Sequence, residues 1–330
     1  MNKKLRIPKS NTKRLIVVMV IFALVGVGLL IRSRAATGDA SIEAENGTIV
    51  TPAMKASDAN ASGGQYLKFT GTTASSITLP ARAAFYYPWF PETWTVNGAH
   101  VFYNPLLGYY DSSAQSVVDS HIKAMDYAKI NVAIASWWGK STHSENTRIP
   151  QILSRTQALG SSLKWGFYYE KEGSTNPTVA EIQADLAYIR DTYASNPAFA
   201  RVGGKPVIFV YNADDTTCEV ADRWKQANQG YNFYIALKVF TGYKTCTSQP
   251  DSWHQYAPSQ AADSQAGYSY AISPGFWRAD EAAPRLARDL TRWQSNVGSM
   301  VASKAPWQLV TTFNEWGEGT ATEAAQCGYS

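Results

Sequence analysis

The pattern of apolar and polar positions changes near residue 81. From there onward, eight mostly apolar runs alternate with segments in which apolar residues recur every three or four positions. The first pattern is typical of strands buried on both faces, and the second of amphipathic helices. The predicted strands are 81–89, 131–138, 163–169, 205–212, 232–240, 252–258, 267–275 and 307–316. The clearest predicted helices are 113–130, 149–159, 179–195 and 281–300.

Strands that alternate with helices indicate right-handed βαβ units, and eight of them in about 250 residues predict an α/β fold of the (β/α)8 TIM-barrel type. The alternative is a doubly wound open sheet, which usually carries a Gly-rich turn after its first strand. The segment FYYPWFPETW (85–94) has no glycine. We therefore predict a barrel over residues 81–330. Few residues follow the eighth strand, so we expect this domain to be truncated at its C-terminus.

The N-terminal residues 1–35 have the pattern of an export segment. A basic stretch precedes an uncharged apolar run of 17 residues, 15–31. A positive segment followed by an apolar one is typical of a signal peptide, and 17 residues also approach the length that spans a bilayer. Two outcomes stay open: a cleaved signal, which gives a secreted protein, or a single transmembrane helix that anchors the protein at the cell surface.

Residues 36–80 are rich in Ala, Ser, Thr and Gly, and short alternating stretches predict β-structure. The segments SIEAENGTIV (41–50) and ASGGQYLKFTG (61–71) resemble the opening strands of carbohydrate-binding modules of families 6 and 35. A whole β-sandwich needs roughly 100 residues. We therefore interpret this segment as a β-rich spacer or a partial module, and we assign it no binding residues.

Charge and composition exclude several classes of protein. Eight of the 30 basic residues lie in residues 1–35, which contain no acidic residue, so the remaining 22 basic residues face 26 acidic ones. A mildly acidic body does not suit nucleic-acid binding. The 11 Trp and 19 Tyr suit a glycan-binding cleft, because aromatic rings can stack on sugar rings. We expect a monomer.

Three cysteines fit an exported protein. Cys218 and Cys246 follow two successive predicted strands, so neighbouring parallel strands would place both residues in loops at the same end of the sheet. We predict a Cys218–Cys246 disulfide. The spacing of Cys and His residues does not resemble a metal site, and we predict neither a metal nor a cofactor.

The C-terminal ends of the predicted strands carry the candidate site, because that end of a TIM barrel holds the active site. Aromatic, amide and charged residues crowd these ends, and together they suit a sugar with its apolar faces and hydroxyl groups. The predicted substrate-binding residues are Tyr86, Tyr87, Trp89, Trp137, Trp138, Tyr169, Glu170, Tyr211, Asn212, Lys238, His254, Tyr256, Asn314 and Trp316.

Four segments resemble the glycoside hydrolase family 99-like group: AFYYPWF (84–90), HVFYNPLLGYYDSS (100–113), IASWWG (134–139) and TFNEWGEGT (312–320). The group contains endo-α-mannosidases, and the resemblance spans roughly residues 84–323. Gly317 stands where the family usually has His. The resemblance implies that Glu318 is the general acid/base and that Glu315 draws the proton from the sugar 2-hydroxyl, with retention through an epoxide-like intermediate.

The sequence therefore predicts an exported glycoside hydrolase that acts on α-mannosidic or related α-glycan linkages of an oligo- or polysaccharide. Cleavage by two carboxyl groups needs no cofactor. Two alternatives stay open: a non-catalytic surface glycan-binding protein, and a glycosyltransferase-related barrel of polysaccharide biosynthesis.

Overall fold

The computed structural model describes residues 53–58, 60–69, 76–140, 145–212 and 217–326. The chain divides into two compact units, Met1–Thr70 and Gly71–Ser330. The predicted signal peptide or anchor lies outside the described residues. Within the described ranges, every helix is too short or too polar to cross a bilayer.

In the first unit, β1 (Ala53–Ser57) pairs with β2 (Gln65–Phe69) to form an antiparallel two-stranded sheet. The pairing is in register over the full length of both strands, with Ala53 opposite Phe69. These strands lie within the segment that the alternating pattern predicted to be β-rich.

The second unit contains the remaining strands. In chain order they are β3 (Ala81–Tyr86), β4 (Thr95–Val96), β5 (Ala99–His100), β6 (Val132–Trp137), β7 (Lys164–Tyr169), β8 (Arg201–Val202), β9 (Lys205–Val210), β10 (Tyr234–Lys238), β11 (Ser252–His254), β12 (Ala262–Gln265), β13 (Ser269–Ile272) and β14 (Trp307–Val310). Each of the eight predicted apolar runs contains one of the parallel strands β3, β6, β7, β9, β10, β11, β13 and β14.

The eight parallel strands, together with β8 and β12, form one sheet that curls back on itself, and β4 and β5 form a separate two-stranded sheet. The hydrogen-bonded order of the large sheet is β11-β10-β9-β7-β6-β3-β14-β13-β12. The first barrel strand, β3, pairs in parallel with the last, β14. In the described part of the chain, no ladder joins β11 to β13, and β12 pairs antiparallel to β13 at that opening. The sheet is therefore a nearly closed barrel, which confirms the predicted α/β barrel architecture.

Residues that alternate along each strand divide between two apolar layers. Phe85, Ile134 and Phe209 belong to a cluster inside the barrel. Tyr86 and Trp137 belong to a second cluster, which also contains the buried residues of the surrounding helices. This division follows from the strand period of two, and it explains why the strand sequences are apolar at nearly every position.

Among the described residues of the second unit, the α-helices are Gln115–Tyr127, Glu145–Ala158, Glu172–Thr175, Val179–Ile189, Cys218–Ala227 and Leu290–Ser303, and Tyr243–Thr245 forms a short 3-10 helix. The predicted helix 281–300 begins later than expected, because Pro284 interrupts the pattern and Asp289 accepts a hydrogen bond from the Arg292 amide at 2.7 Å as the N-cap. The helix predicted over 179–195 ends as an α-helix at Ile189 and continues as one π-helical turn.

Cys218 and Cys246 form the predicted disulfide, with their Cα atoms 5.3 Å apart. Strands β9 and β10 are parallel neighbours, as the prediction required. Cys218 does not lie in a loop, however. It is the first residue of a helix whose N-cap is Thr217.

Candidate active site

A cavity of about 370 Å³ opens at the C-terminal ends of the barrel strands. Six of its fourteen lining residues are aromatic, and three carboxyl groups and one guanidinium face into it. The lining residues are Tyr87, Trp89, Thr93, Thr95, Val96, Trp138, Tyr168, Glu170, Tyr211, Tyr256, Arg278, Glu315, Gly317 and Glu318. Six of the predicted binding residues and both predicted catalytic residues therefore converge here.

The aromatic wall is tightly packed. The rings of Tyr87 and Trp89 are stacked, with centroids 4.4 Å apart, and the Tyr168 ring lies 5.7 Å from that of Tyr256. Burial raises the pKa of Tyr87, Tyr168 and Tyr256 well above the usual value for a tyrosine. Their phenols consequently stay protonated and can donate hydrogen bonds to sugar hydroxyls or to carboxylates.

Both candidate catalytic acids lie on residues 311–323, which we call the carboxylate loop. Glu315 is only 6% exposed. Its Oε1 accepts a hydrogen bond from the Glu318 backbone amide at 3.2 Å, and its Oε2 has no hydrogen-bond partner among the described residues. Burial, followed by repulsion from the Glu318 charge, raises the pKa of Glu315 well above its usual value.

Glu318 is held by a short chain of phenols. Tyr87 Oη donates to Tyr256 Oη at 2.9 Å, and Tyr256 Oη donates to Glu318 Oε2 at 3.1 Å. Burial raises the pKa of Glu318, against the opposing effects of the Tyr256 hydrogen bond and the Arg278 charge. Two neighbouring acids that both resist ionisation can share one proton, so that one donates while the other accepts.

Glu170 is the third carboxyl group of the cavity and is buried. Its charge contributes to the raised pKa of Tyr87, Tyr168 and Glu315. The structure therefore places this predicted binding residue within electrostatic reach of the carboxyl pair. Within the described ranges, no group of three or more His, Cys, Asp and Glu residues is arranged to hold a metal ion.

Three predicted binding residues turn away from the cavity. Tyr86, Trp137 and Tyr169 lie in the layer between the sheet and the helices. Tyr169 Oη donates to Asp185 Oδ2 at 2.7 Å. Consecutive strand residues point to opposite faces, so only alternate residues at a strand end can reach the barrel mouth. The structure does not support substrate contacts for these three side chains.

His254 is also outside the cavity. It is fully buried in the barrel interior, where the Phe209 ring lies 5.1 Å away. Burial, together with the nearby Lys238 charge, lowers the pKa of His254 to about 3, so the ring is neutral. Its position suits core packing rather than substrate binding.

Asn212 and Lys238 lie beside the cavity rather than in it. Lys238 Nζ donates to the Asn212 carbonyl oxygen at 3.1 Å. Lys238 lines an adjoining cavity of about 440 Å³, which shares Tyr211, Tyr256 and Glu318 with the first. Asn212 lines a third, separate cavity. Of these two residues, only Lys238 therefore shares a cavity with one of the candidate catalytic acids, Glu318.

Asn314 and Trp316 belong to the carboxylate loop, and their side chains are buried. The Asn314 side chain accepts from the Tyr87 amide at 2.7 Å and donates to the Tyr87 carbonyl oxygen at 2.9 Å. Trp316 packs in a separate apolar cluster with Phe90 and Trp94. Through these contacts both side chains fasten the loop to the rest of the barrel, and neither lines the cavity.

Several cavity residues were not predicted. Arg278 follows the seventh predicted strand by three residues, so extending the analysis past each strand end would have found it. Thr95 and Val96 form β4, which pairs with β5 in the first loop of the barrel. A two-residue strand leaves no periodic pattern, and the sequence offered no signal for these two residues.

The fold and the cavity together define a class: a β/α-barrel protein with an aromatic, carboxyl-bearing site at the C-terminal ends of its strands. Comparisons with known proteins agree with this class. A model of glycosyl hydrolase family 99 matches residues 97–232. The matched range ends before the carboxylate loop, so the roles of Glu315 and Glu318 stay predictions.

Two curated relatives carry the same description, glycoprotein endo-α-1,2-mannosidase. The protein from Xenopus laevis is 26% identical over 268 residues, and the alignment covers 67% of this chain and 58% of that protein. The protein from Rattus norvegicus is 23% identical over 266 residues, covering 67% and 56% respectively. This chain therefore spans less than two thirds of the length of these relatives.

The fold is also similar to that of a solved GH99 endo-α-mannosidase from Bacteroides thetaiotaomicron. The TM-score is 0.62 at 20% sequence identity, and the match covers 76% of this chain and 90% of that structure. This likeness shows a shared fold. With the family match and the curated relatives, it supports the resemblance to family 99 and the prediction of a glycoside hydrolase.

Proposed function

We propose that the protein is a glycoside hydrolase that cleaves α-mannosidic or related α-glycan linkages in an oligo- or polysaccharide. The observation that carries this proposal is the pair of buried carboxyl groups, Glu315 and Glu318, in one aromatic-walled cavity. The names of the relatives, which are endo-α-mannosidases, favour α-mannosides as substrates. The flat faces of Tyr87 and Trp89 suit the apolar face of a sugar ring.

In the proposed mechanism, Glu315 accepts the proton of the sugar 2-hydroxyl, and the freed oxygen attacks the neighbouring anomeric carbon. Glu318 simultaneously gives its proton to the glycosidic oxygen, which leaves with the aglycone. Water, deprotonated by Glu318, then opens the epoxide-like ring at the anomeric carbon, and Glu315 returns its proton to the 2-oxygen. The two inversions at this carbon retain its configuration, and both acids end as they began.

The electrostatics support the acid role of Glu318, whereas Glu315 must ionise against its raised pKa to act as the base. An acid catalyst must hold its proton near the working pH, and burial raises the pKa of Glu318 in that direction. Glu315 is the ionised partner in this scheme. Its Oε2 lies in the cavity without a hydrogen-bond partner among the described residues and is therefore available to a substrate hydroxyl.

We further propose that the protein is exported, either secreted or held at the cell surface by residues 1–35. In this organisation residues 36–80 are a β-rich spacer and residues 81–330 the hydrolase domain of a monomer. The Cys218–Cys246 disulfide supports an oxidising compartment, because such bonds rarely persist in the cytosol.

The test is the release of reducing ends from α-mannan and from α-mannose oligosaccharides. Glu315→Gln and Glu318→Gln keep the side-chain shape but remove the titratable proton, so each should lower kcat by at least ~10². Asp222→Asn, on the exposed side of the helix Cys218–Ala227, is the matched control and should keep parental activity. Tight glycan binding without reducing-end release would instead identify a non-catalytic glycan-binding protein.

A further inference from the structure

The carboxylate loop is fastened to the barrel by a buried polar cluster that the proposed mechanism does not use. Its centre is Glu323, the last residue of the loop, which is only 7% exposed. Glu323 Oε2 accepts hydrogen bonds from Tyr110 Oη at 2.7 Å and from Trp316 Nε1 at 3.0 Å. Its other oxygen, Oε1, lies 3.0 Å from His121 Nε2.

The partners of Glu323 come from three parts of the chain. Trp316 belongs to the loop itself and stands between the two candidate catalytic acids. Tyr110 lies in the segment that precedes the helix Gln115–Tyr127, and His121 lies on that helix. One carboxylate therefore ties the middle and the end of the loop to a helix outside the barrel.

The hydrogen bonds of the cluster form a consistent set. An ionised carboxylate only accepts, so His121 Nε2 carries the proton towards Glu323 and, in a neutral ring, Nδ1 accepts from Tyr86 Oη at 3.1 Å. Burial and the Glu323 charge raise the pKa of Tyr86 and Tyr110, so both phenols keep their protons. With these partners, the energetic cost of burying the carboxylate is offset.

The cluster also reaches the cavity. Asn314 Nδ2 lies 3.4 Å from Tyr110 Oη. The same side-chain amide accepts a hydrogen bond from the Tyr87 backbone N–H and donates one to the Tyr87 carbonyl oxygen. Tyr87 belongs to the aromatic wall and begins the chain of phenols that ends at Glu318. A displacement of Glu323 would consequently change the position of both acids relative to the wall.

We propose that Glu323 is a positioning residue, which holds Glu315 and Glu318 in their reactive arrangement through Trp316 and Tyr110. The inference rests on the proposed function, because it assigns Glu323 to the same reaction. Glu323 itself does not touch the substrate in this proposal, so its loss should lower kcat and leave KM nearly unchanged.

The test compares Glu323→Leu, which removes both acceptor oxygens, with Glu323→Gln, whose amide oxygen can still accept from Tyr110 and Trp316. Asp185 is the matched control: it is 4% exposed and accepts from Tyr169, but it lies on the outer helix Val179–Ile189. Both Leu variants leave a buried phenol without its acceptor, and both should lose stability.

Glu323→Leu should lower kcat at least ~10-fold with KM within about twofold of the parent value, and Glu323→Gln should recover most of the loss. Asp185→Leu should keep the parental kcat. Tyr110→Phe should lower kcat in the parent but add little to Glu323→Leu, because both changes break the same contact. Equal kcat losses in Glu323→Leu and Asp185→Leu would overturn the proposal.

Amide hydrogen exchange supplies a readout that does not depend on activity. Amides of residues 311–323 should exchange at least ~10-fold faster in Glu323→Leu than in the parent, whereas Asp185→Leu should leave them unchanged. Unchanged loop exchange in Glu323→Leu would refute the positioning role. If the parent protein cleaved no α-mannoside, the proposed function would fail, and the exchange experiment would still decide whether Glu323 holds the loop.

Discussion

Glu315 combines burial, a neighbouring acid and one carboxylate oxygen without a hydrogen-bond partner among the described residues. Each of these features makes its ionised form costly in the folded protein. In an unfolded chain the same side chain ionises near its usual pKa of about 4.3. The folded protein therefore holds the Glu315 proton to a higher pH than the unfolded chain does.

This difference predicts a pH-dependent gain of stability in Glu315→Gln. A carboxyl group whose pKa is raised by folding contributes stability below its unfolded pKa and loses that contribution as the pH rises through its folded pKa. At a pH above the folded pKa, each unit by which folding raises the pKa lowers the free energy of unfolding by about 1.4 kcal/mol. Glu315→Gln should therefore melt above the parent at pH 7–8, and the difference should vanish by about pH 4.

Thermal denaturation of both proteins from pH 4 to pH 8 measures this difference. Asp222→Asn, at an exposed position, should melt with the parent throughout. A parent protein that was more stable than Glu315→Gln at pH 8 would show that the Glu315 carboxylate is stabilised rather than strained.

Gly317 is the second residue-scale feature with a measurable consequence. A Cβ atom at this position would lie 2.9 Å from Glu315 Oε1 and 3.0 Å from Val96 Cγ2. Both distances are shorter than a Cβ atom normally keeps from another heavy atom. Gly317→Ala should therefore displace the Glu315 carboxyl group and lower kcat/KM by about 10-fold or more, equivalent to at least ~1.4 kcal/mol of transition-state stabilisation.

Gly298→Ala is the natural control for this substitution. Gly298 lies in the helix Leu290–Ser303, and an added Cβ there meets nothing within 4 Å. This variant should keep full activity and gain about 0.5–1 kcal/mol of stability, because Ala favours helix more than Gly. Parental kcat/KM in Gly317→Ala would argue that Glu315 is not held at the position described.

At the scale of residues, the sequence predicted the position of the site more accurately than it predicted which side chains line it. The motif at the end of the last strand led to Glu315 and Glu318, and the structure places both in one cavity. Tyr86 and Trp137 were assigned wrongly because a strand-end position does not tell which face a side chain takes. Fixing the face needs the register of neighbouring strands, which is a tertiary property.

At the scale of elements, the barrel strands were the most predictable part of the molecule. Both faces of each strand are buried, so each one leaves a continuous apolar run that a sequence reveals directly. The helix Cys218–Ala227 was missed. Its buried residues Val220, Ala221, Trp224 and Ala227 recur at helical spacing, so the pattern does indicate a helix, although a short one.

The disulfide between Cys218 and Cys246 links that helix to the segment after β10, across a sequence separation of 28 residues. Closing a loop of this size lowers the entropy of the unfolded chain, which predicts a stabilisation of about 3–4 kcal/mol. The double variant Cys218→Ser, Cys246→Ser should therefore unfold at a lower urea concentration than the parent, with an equal or steeper slope of free energy against urea, because its unfolded chain is less compact.

Reductant provides the internal control for this experiment. It should shift the parent towards the double variant and leave the double variant unchanged. A parent protein whose urea midpoint did not respond to reduction would contradict a stabilising role for the bond.

At the scale of the whole molecule, the fold class was predictable, but the way the barrel closes was not. The count of apolar runs indicated eight strands, whereas the opening between β11 and β13 and the antiparallel β12 depend on backbone pairing that leaves no sequence pattern. The same holds for the contact of the Asn314 side chain with the Tyr87 backbone, two residues 227 positions apart.

The pairing of β3 with β14 also sets the order in which the protein can be completed during synthesis. A ribosome that adds about 5–20 residues per second takes roughly 10–45 s to move from the first of these strands to the last. Throughout that interval at least one edge of β3 is unpaired, and an unpaired edge is a template for pairing with other chains. That edge of β3 is covered only when β14 has been synthesised, and the carboxylate loop follows β14 in the chain, so the candidate site cannot form until the barrel has paired its first strand with its last.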